Sequence, residues 1–196
     1  MIITVASFKG GVGKTTTAIH LATYLQTKAP CLLIDGDANR SATLWSKRGE
    51  LPFKIVDERK APKYARDFEH IVIDTYAHPN KTDLESIVDG CDLLVLPTTP
   101  ESMSLDALVL TVTALQELKA TNYKVLLTMV PPKPSIDGEE TMQLLRKSNY
   151  PVFNTAISRL VAFQRASMAG LPVYAIKDGR AARAWDEYLS VGKEIL

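Results

Sequence analysis

The chain has 196 residues, 46% hydrophobic and 23% charged with a net charge of +1, an ordinary balance for a globular protein that buries a sizeable core. No run approaches the roughly 18 apolar residues needed to span a bilayer, and residues 2–6 open on a strand-like run rather than the charged flank of a signal peptide. Two cysteines, Cys31 and Cys91, are too few for a disulfide framework or a four-cysteine metal site, so a reducing, cytosolic setting is expected.

Short apolar runs at 2–7, 31–35, 53–56, 70–74, 93–96 and 125–129 read as strands. Several are continuous rather than alternating, as expected of parallel strands buried on both faces. Helices are predicted over 15–27, where Ala18, Leu21, Ala22 and Leu25 recur at helical spacing, and over 102–119, where Leu105, Leu108, Val109 and Val112 share one side. Further helices are predicted over 138–148, 160–168 and 180–194, with Pro131, Pro132 and Pro134 marking a stiff loop after the last strand. This alternation predicts an α/β fold: a doubly wound, mostly parallel sheet flanked by helices, in one domain over 1–196. In such sheets ligands bind beyond the carboxyl ends of the strands, so the residues just past the strands carry the chemistry.

After the first strand comes Phe8-Lys9-Gly10-Gly11-Val12-Gly13-Lys14-Thr15-Thr16 and then a helix. A P-loop asks for Gly, four residues, then Gly-Lys-Ser/Thr. Gly13-Lys14-Thr15 supplies the tail, but Phe8 stands where the first glycine belongs. Glycines let backbone N–H groups approach phosphate oxygens, and the next helix aims its positive end at the same place. Lys14 suits the β- and γ-phosphates and the Thr15 hydroxyl suits Mg²⁺, which makes ATP with Mg²⁺ the expected cofactor pair.

The stretch Lys9 to Thr16 resembles the deviant Walker A motif of the ParA/MinD family of P-loop NTPases. The resemblance implies that Gly10, Gly11, Val12, Gly13, Lys14, Thr15 and Thr16 hold nucleotide. It also implies that Lys9 is the signature lysine, which reaches across an ATP-sandwiched homodimer to the partner's nucleotide. The second strand ends in Asp35-Gly36-Asp37-Ala38, similar to the family's Asp-x-Asp-Pro. By that likeness Asp37 positions the attacking water and Asp35 lies near metal and phosphates; turn or helix-cap duty is the alternative for both. Ala38 departs from the proline that would fix φ. The fourth strand ends in Asp74-Thr75, a Walker B arrangement whose carboxylate would hold Mg²⁺ through water. Tyr76, Ala77 and His78 intervene before Pro79, an atypical loop, and His78 is given no role.

Residues 93–100 resemble the family's fifth strand and loop, and the helix after them carries much of the dimer surface in relatives. Pro131 and Pro132 fall where the family binds adenine, and are placed either to pack on the base or simply to stiffen the loop. Thr128 replaces an asparagine common in relatives, and residues 159–170 resemble a late Arg…Ala…Gly stretch. Residues 146–196 hold eight Lys/Arg against four Asp/Glu. Arg146, Lys147, Arg159, Arg165, Lys177, Arg180 and Arg183 are therefore the candidates for DNA phosphates, the last two one helical turn apart.

The resemblance implies a small partition or positioning ATPase with no helix-turn-helix ahead of its first strand. It would bind non-specific DNA when dimeric, be cytoplasmic and nucleoid-associated in its ATP state, and carry a plasmid, a chromosome region or an organelle such as the carboxysome. A ParB-like or McdB-like adaptor would stimulate its hydrolysis. A MinD-like membrane cycle is the alternative, but residues 184–196 carry three acids and one lysine, unlike a basic lipid-binding tail, so no membrane is expected. A metabolic P-loop enzyme is the third class.

Overall fold

A computed structural model describes residues 1–77 and 81–196. Six parallel strands, β1 (Ile2–Ser7), β2 (Cys31–Asp35), β3 (Lys54–Asp57), β4 (His70–Ala77), β5 (Leu93–Thr98) and β6 (Tyr123–Leu127), form one sheet in the order β3-β2-β4-β1-β5-β6. The helices are α1 (Lys14–Gln26), α2 (Ser41–Ser46), α3 (Ala61–Tyr64), α4 (Lys81–Asp89), α5 (Ser102–Glu117), α6 (Asp137–Lys147), α7 (Val161–Ala169) and α8 (Ala181–Lys193). The doubly wound fold is as the sequence predicts. The periodicity does not reveal helices α2 and α4, β4 runs three residues past Asp74, and the last strand ends before Met129.

Alternation along the strands feeds two large cores and a smaller cluster of Leu32, Ile34 and Val56. Ile3, Val5, Leu33 and Val95 pack with Ala18, Leu21 and Leu25 of α1 and with Phe153, Ala162, Ala184 and Tyr188. Ala6, Leu94 and Leu96 face the other way, onto Leu84 of α4, Leu108, Val112 and Leu115 of α5, and Leu145 of α6. Burial of apolar area on both faces, at about 25 cal/mol per Å², is the main force holding the layers together. Asp57 and Asp35 at the ends of their strands stand in one register row with Asp74 and Val5, which lie shortly before the ends of theirs. The tail helix α8 lays Ala184, Tyr188 and Val191 into the first core. Among the described residues no helix is long and apolar enough to cross a membrane.

Candidate nucleotide site

The loop between β1 and α1 is shaped by left-handed glycines, Gly11 at φ 79° and Gly13 at φ 87°. A residue with a Cβ rarely adopts this backbone, which lines up successive N–H groups on one concavity. Gly13 is the N-cap of α1 and no side chain caps the first turn, so the positive end of that helix is open to an anion. The loop borders a cavity of about 570 Å³ lined by Gly10, Gly11, Gly13, Lys14, Thr15 and Thr16 together with Asp37, Asn39, Ser41 and Arg48. Val12 points the other way, into the core. Burial lowers the pKa of Lys14, while Asp74 and then Asp37 raise it, and its ammonium lies 3.4 Å from the Lys9 carbonyl.

Lys9 does not line that cavity. Its ammonium donates to the Ser104 hydroxyl at 2.9 Å and pairs with Glu101 at 3.4 Å, at the start of α5.

The two aspartates after β2 are in different states. Asp35 is fully buried and saturated: its carboxylate accepts from Asp37 N at 3.2 Å, Thr43 N at 2.8 Å and the Thr43 hydroxyl at 2.6 Å. It anchors α2. Asp37 is half-exposed and accepts longer bonds, from Asn39 N at 3.2 Å and the Ser41 hydroxyl at 3.1 Å, which leaves lone pairs facing the cavity.

Asp74 is also fully buried, yet no donor among the described residues reaches either of its oxygens with hydrogen-bond geometry. Burial pushes its pKa from 3.8 to about 7. The Thr15 hydroxyl pulls it back down, Asp35 pushes it up, Lys14 lowers it and Asp37 raises it. A buried carboxylate that no described donor meets with hydrogen-bond geometry, beside the Thr15 hydroxyl and Lys14, fits a cation bound through water. The described residues hold no cluster of three or more His, Cys, Asp or Glu fit for a metal, so Mg²⁺ here would draw its remaining ligands from phosphate and water.

A second cavity, of about 470 Å³, adjoins the first and shares Gly13, Thr16, Trp45, Met129 and Ser167 with it. Ile157, Leu160, Phe163 and Tyr188 supply apolar walls, while Thr128, Ser158, Arg159 and Gln164 supply polar edges, a make-up suited to a planar base. Pro131 and Pro132, expected near the base, are not here: β6 ends at Leu127, and they line a separate cleft of about 510 Å³ with Lys133, Gly138 and Arg183. Sequence reasoning misses Trp45, Phe163 and Tyr188 because they come from α2, α7 and α8, far apart in the chain. Beneath them His20 is fully buried, stacked on Tyr188 at 4.8 Å and edge-on to Phe163 at 5.3 Å. Its Nε2 accepts from Val173 N at 3.1 Å, so Nδ1 carries the proton and donates to the Thr16 carbonyl at 2.7 Å. Burial pushes its pKa down to about 4. The cavity walls are fastened where Gly49 meets Gly170: a Cβ at Gly49 would lie 2.3 Å from the Ala169 carbonyl oxygen, and one at Gly170 2.1 Å from Gly49 N.

The seven basic candidates are not equivalent. Arg146 bonds Asn154 at 3.2 Å, Arg165 pairs with Asp178 at 2.5 Å, and Arg183 pairs with Glu187 at 3.2 Å and the Ser158 hydroxyl at 2.8 Å. Arg159 borders the base cavity, and Arg180 is the N-cap of α8. Both cysteines are buried, Cys31 as the first residue of β2, at the end of that strand away from the phosphate loop, where burial pushes its thiol to about 12. His78 and Pro79 lie outside the described residues.

A glycine loop that opens a helix, set beside an unpartnered aspartate at the strand ends, defines a P-loop nucleotide-binding protein. The chain belongs to the CobQ/CobB/MinD/ParA nucleotide binding domain family, which residues 3–173 match. It is 33% identical to maintenance of carboxysome distribution protein A of Gloeobacter kilaueensis, over 99% of this chain and 93% of that protein. Its fold is similar to that of a plasmid partition protein of Borrelia burgdorferi bound to AMPPNP, with a TM-score of 0.74, 19% identity and coverage of 100% and 99% of the two chains. The MinD cell division protein of Aquifex aeolicus superposes with a TM-score of 0.77 at 18% identity, over 99% of this chain and 95% of that one.

Proposed function

We propose that the chain is a slow, Mg²⁺-dependent ATPase that closes around ATP as a homodimer, binds DNA without sequence preference in that state, and distributes a cargo through an adaptor that stimulates hydrolysis. The carboxysome is the cargo favoured by the name and full-length match of the Gloeobacter relative. The protein would work in the cytoplasm, on DNA while ATP is bound.

The observation that carries this reading is the direction of Lys9. A lysine built into a phosphate loop, yet turned from its own phosphate cavity to Glu101 and Ser104, is positioned to serve a nucleotide other than its own. The ion pair that holds it is exposed on the Glu101 side and of the kind worth roughly 0–1 kcal/mol, so a second phosphate can displace it. Lys14 neutralises the chain's own β- and γ-phosphates, and the loop N–H groups hold them in place. Asp37 orients the attacking water with the lone pairs it has free. Thr15 and Asp74, the latter through water, would hold Mg²⁺, which when bound neutralises phosphate charge. Asp35, saturated by Thr43, acts by holding the loop rather than the metal.

Light scattering with ATP and Mg²⁺ tests this. The wild type is expected to double in mass, and Lys9→Ala to bind ATP while staying monomeric. A normal ATP-dependent dimer of Lys9→Ala would sink the role in trans.

A further inference from the structure

Arg40 lines neither cavity, yet it is the most heavily anchored residue of the loop that carries Asp37. Its backbone is left-handed, φ 52°, a conformation that favours glycine and that an arginine keeps only when its surroundings hold it there. The surroundings are explicit. The guanidinium donates to the Asp35 carbonyl at the end of β2, pairs with Asp57 at 2.9 Å at the end of β3, and lies 3.6 Å from Glu58. Main-chain bonds complete the link: Arg40 N donates to the Asp37 carbonyl at 2.9 Å, and the Arg40 carbonyl accepts from Leu44 N at 2.8 Å. Residues 37–40 thus form a β-turn whose far corner is tied to two strand ends.

We infer that Arg40 is the positioning residue that holds Asp37 in place for water activation, an inference that rests on the hydrolytic reading above. The Asp37 carboxylate accepts only long hydrogen bonds, from Asn39 and from Ser41 at the start of α2, while its main-chain N–H donates to Asp35 at 3.2 Å, so the carboxylate goes where the turn goes. The second residue of the turn is Ala38, which is exposed and lacks the φ restriction that a proline would impose. The near corner of the turn is tied to Asp35 through the Asp37 N–H, and the clamp on Arg40 fixes its far corner against the sheet. A merely superficial ion pair would contribute little and would not hold its residue in a disfavoured backbone region. Here the arginine side chain is only 28% exposed, and one of its acceptors is a main-chain carbonyl.

Two variants test the role. Arg40→Gly removes the clamp but suits the left-handed backbone, so the fold is not strained. Ala38→Pro stiffens the same turn by another route: proline suits the second position of such a turn, and the Ala38 N–H makes no hydrogen bond among the described residues that proline would break. ATP turnover and ATP affinity are measured for the wild type, Arg40→Gly and the double variant. In Arg40→Gly the kcat is expected to fall by roughly tenfold, within the hundredfold that about 1 Å of misplacement can cost, with KM and melting temperature unchanged. In the double variant kcat is expected to return toward wild type. Undiminished kcat in Arg40→Gly, or a loss that Ala38→Pro does not restore, overturns the role of Arg40 alone. A wild type that binds ATP and never hydrolyses it overturns the hydrolytic reading, and this inference with it.

Discussion

Asp35 and Asp74 stand side by side in register on neighbouring parallel strands, both fully buried, one accepting three hydrogen bonds and the other, among the described residues, none with hydrogen-bond geometry. The difference lies in the path of the chain beyond each aspartate. After β2 the chain turns into α2, and Thr43 reaches back to Asp35. After Asp74 the strand runs on to Ala77, and no described residue donates to the Asp74 carboxylate with hydrogen-bond geometry. Two like charges this close in a dry site repel, and Asp35 adds to the burial that raises the Asp74 pKa.

Asp74→Asn should therefore stabilise the nucleotide-free protein. The raised acid, at about 7, means that the native carboxyl keeps its proton where the unfolded one has lost it, so stability falls as pH rises from about 4 through 7. At pH 8, with the cost fully developed, the variant is expected to gain roughly 1–3 kcal/mol in urea unfolding. It should lose most of the extra stabilisation that Mg²⁺ adds to ATP. A variant less stable than wild type without nucleotide would show that Asp74 has a partner in solution.

Asp37→Ala should keep ATP affinity, because phosphate is held by Lys14 and the loop. Turnover should fall by about 10²–10⁴, the usual contribution of a positioned acid–base group. Single-turnover hydrolysis set beside calorimetric binding separates the two; wild-type turnover would mean that another group orients the water.

DNA retention should require ATP and weaken steeply with salt, with a slope of about −0.9 per phosphate contact. Arg180→Glu with Arg183→Glu should reduce it on any sequence and leave ATP binding intact. A gel-shift titration at two salt concentrations, with ATP, ADP and no nucleotide, decides: equal binding in all three states rejects the mechanism. Because Arg146, Arg165 and Arg183 already have partners, single substitutions among them should each have a smaller effect than the pair.

His20 gives a pH signature. It is buried neutral with a pKa near 4, below its ordinary 6.5, so as pH falls through 6.5 the unfolded chain gains a proton that the native one does not. Between pH 7 and pH 5 the wild type should lose about 2 kcal/mol from this residue. His20→Gln, less stable at pH 7, should show a flatter pH dependence in urea unfolding over that range. Parallel curves would mean that other groups carry the loss.

The phosphate loop, Asp35, Asp37 and Asp74 are legible in the sequence because each lies in a short local pattern, a strand giving way at once to a glycine run or an acid. The sheet is legible for the same reason, through its continuous apolar runs. Hidden from a linear reading is whatever the fold assembles from distance. Trp45, Phe163 and Tyr188 look like ordinary core aromatics until three helices bring them together, and Arg40 reads as one more surface charge until β2 and β3 end beside it. Pro131 and Pro132 lie in a cleft apart from the apolar cavity because β6 ends at Leu127 and the backbone turns at Met129, φ 52°, a path that no linear reading shows.

The Gly49–Gly170 contact bears on how this protein can be labelled for imaging. It joins bare backbone to bare backbone, so an inserted residue or a dye linker on either side would wedge α2 and α7 apart and spoil the cavity between them. The turn at Ser148 and Asn149 is exposed and borders none of the three cavities described above, so a fluorophore placed there would leave all three unchanged.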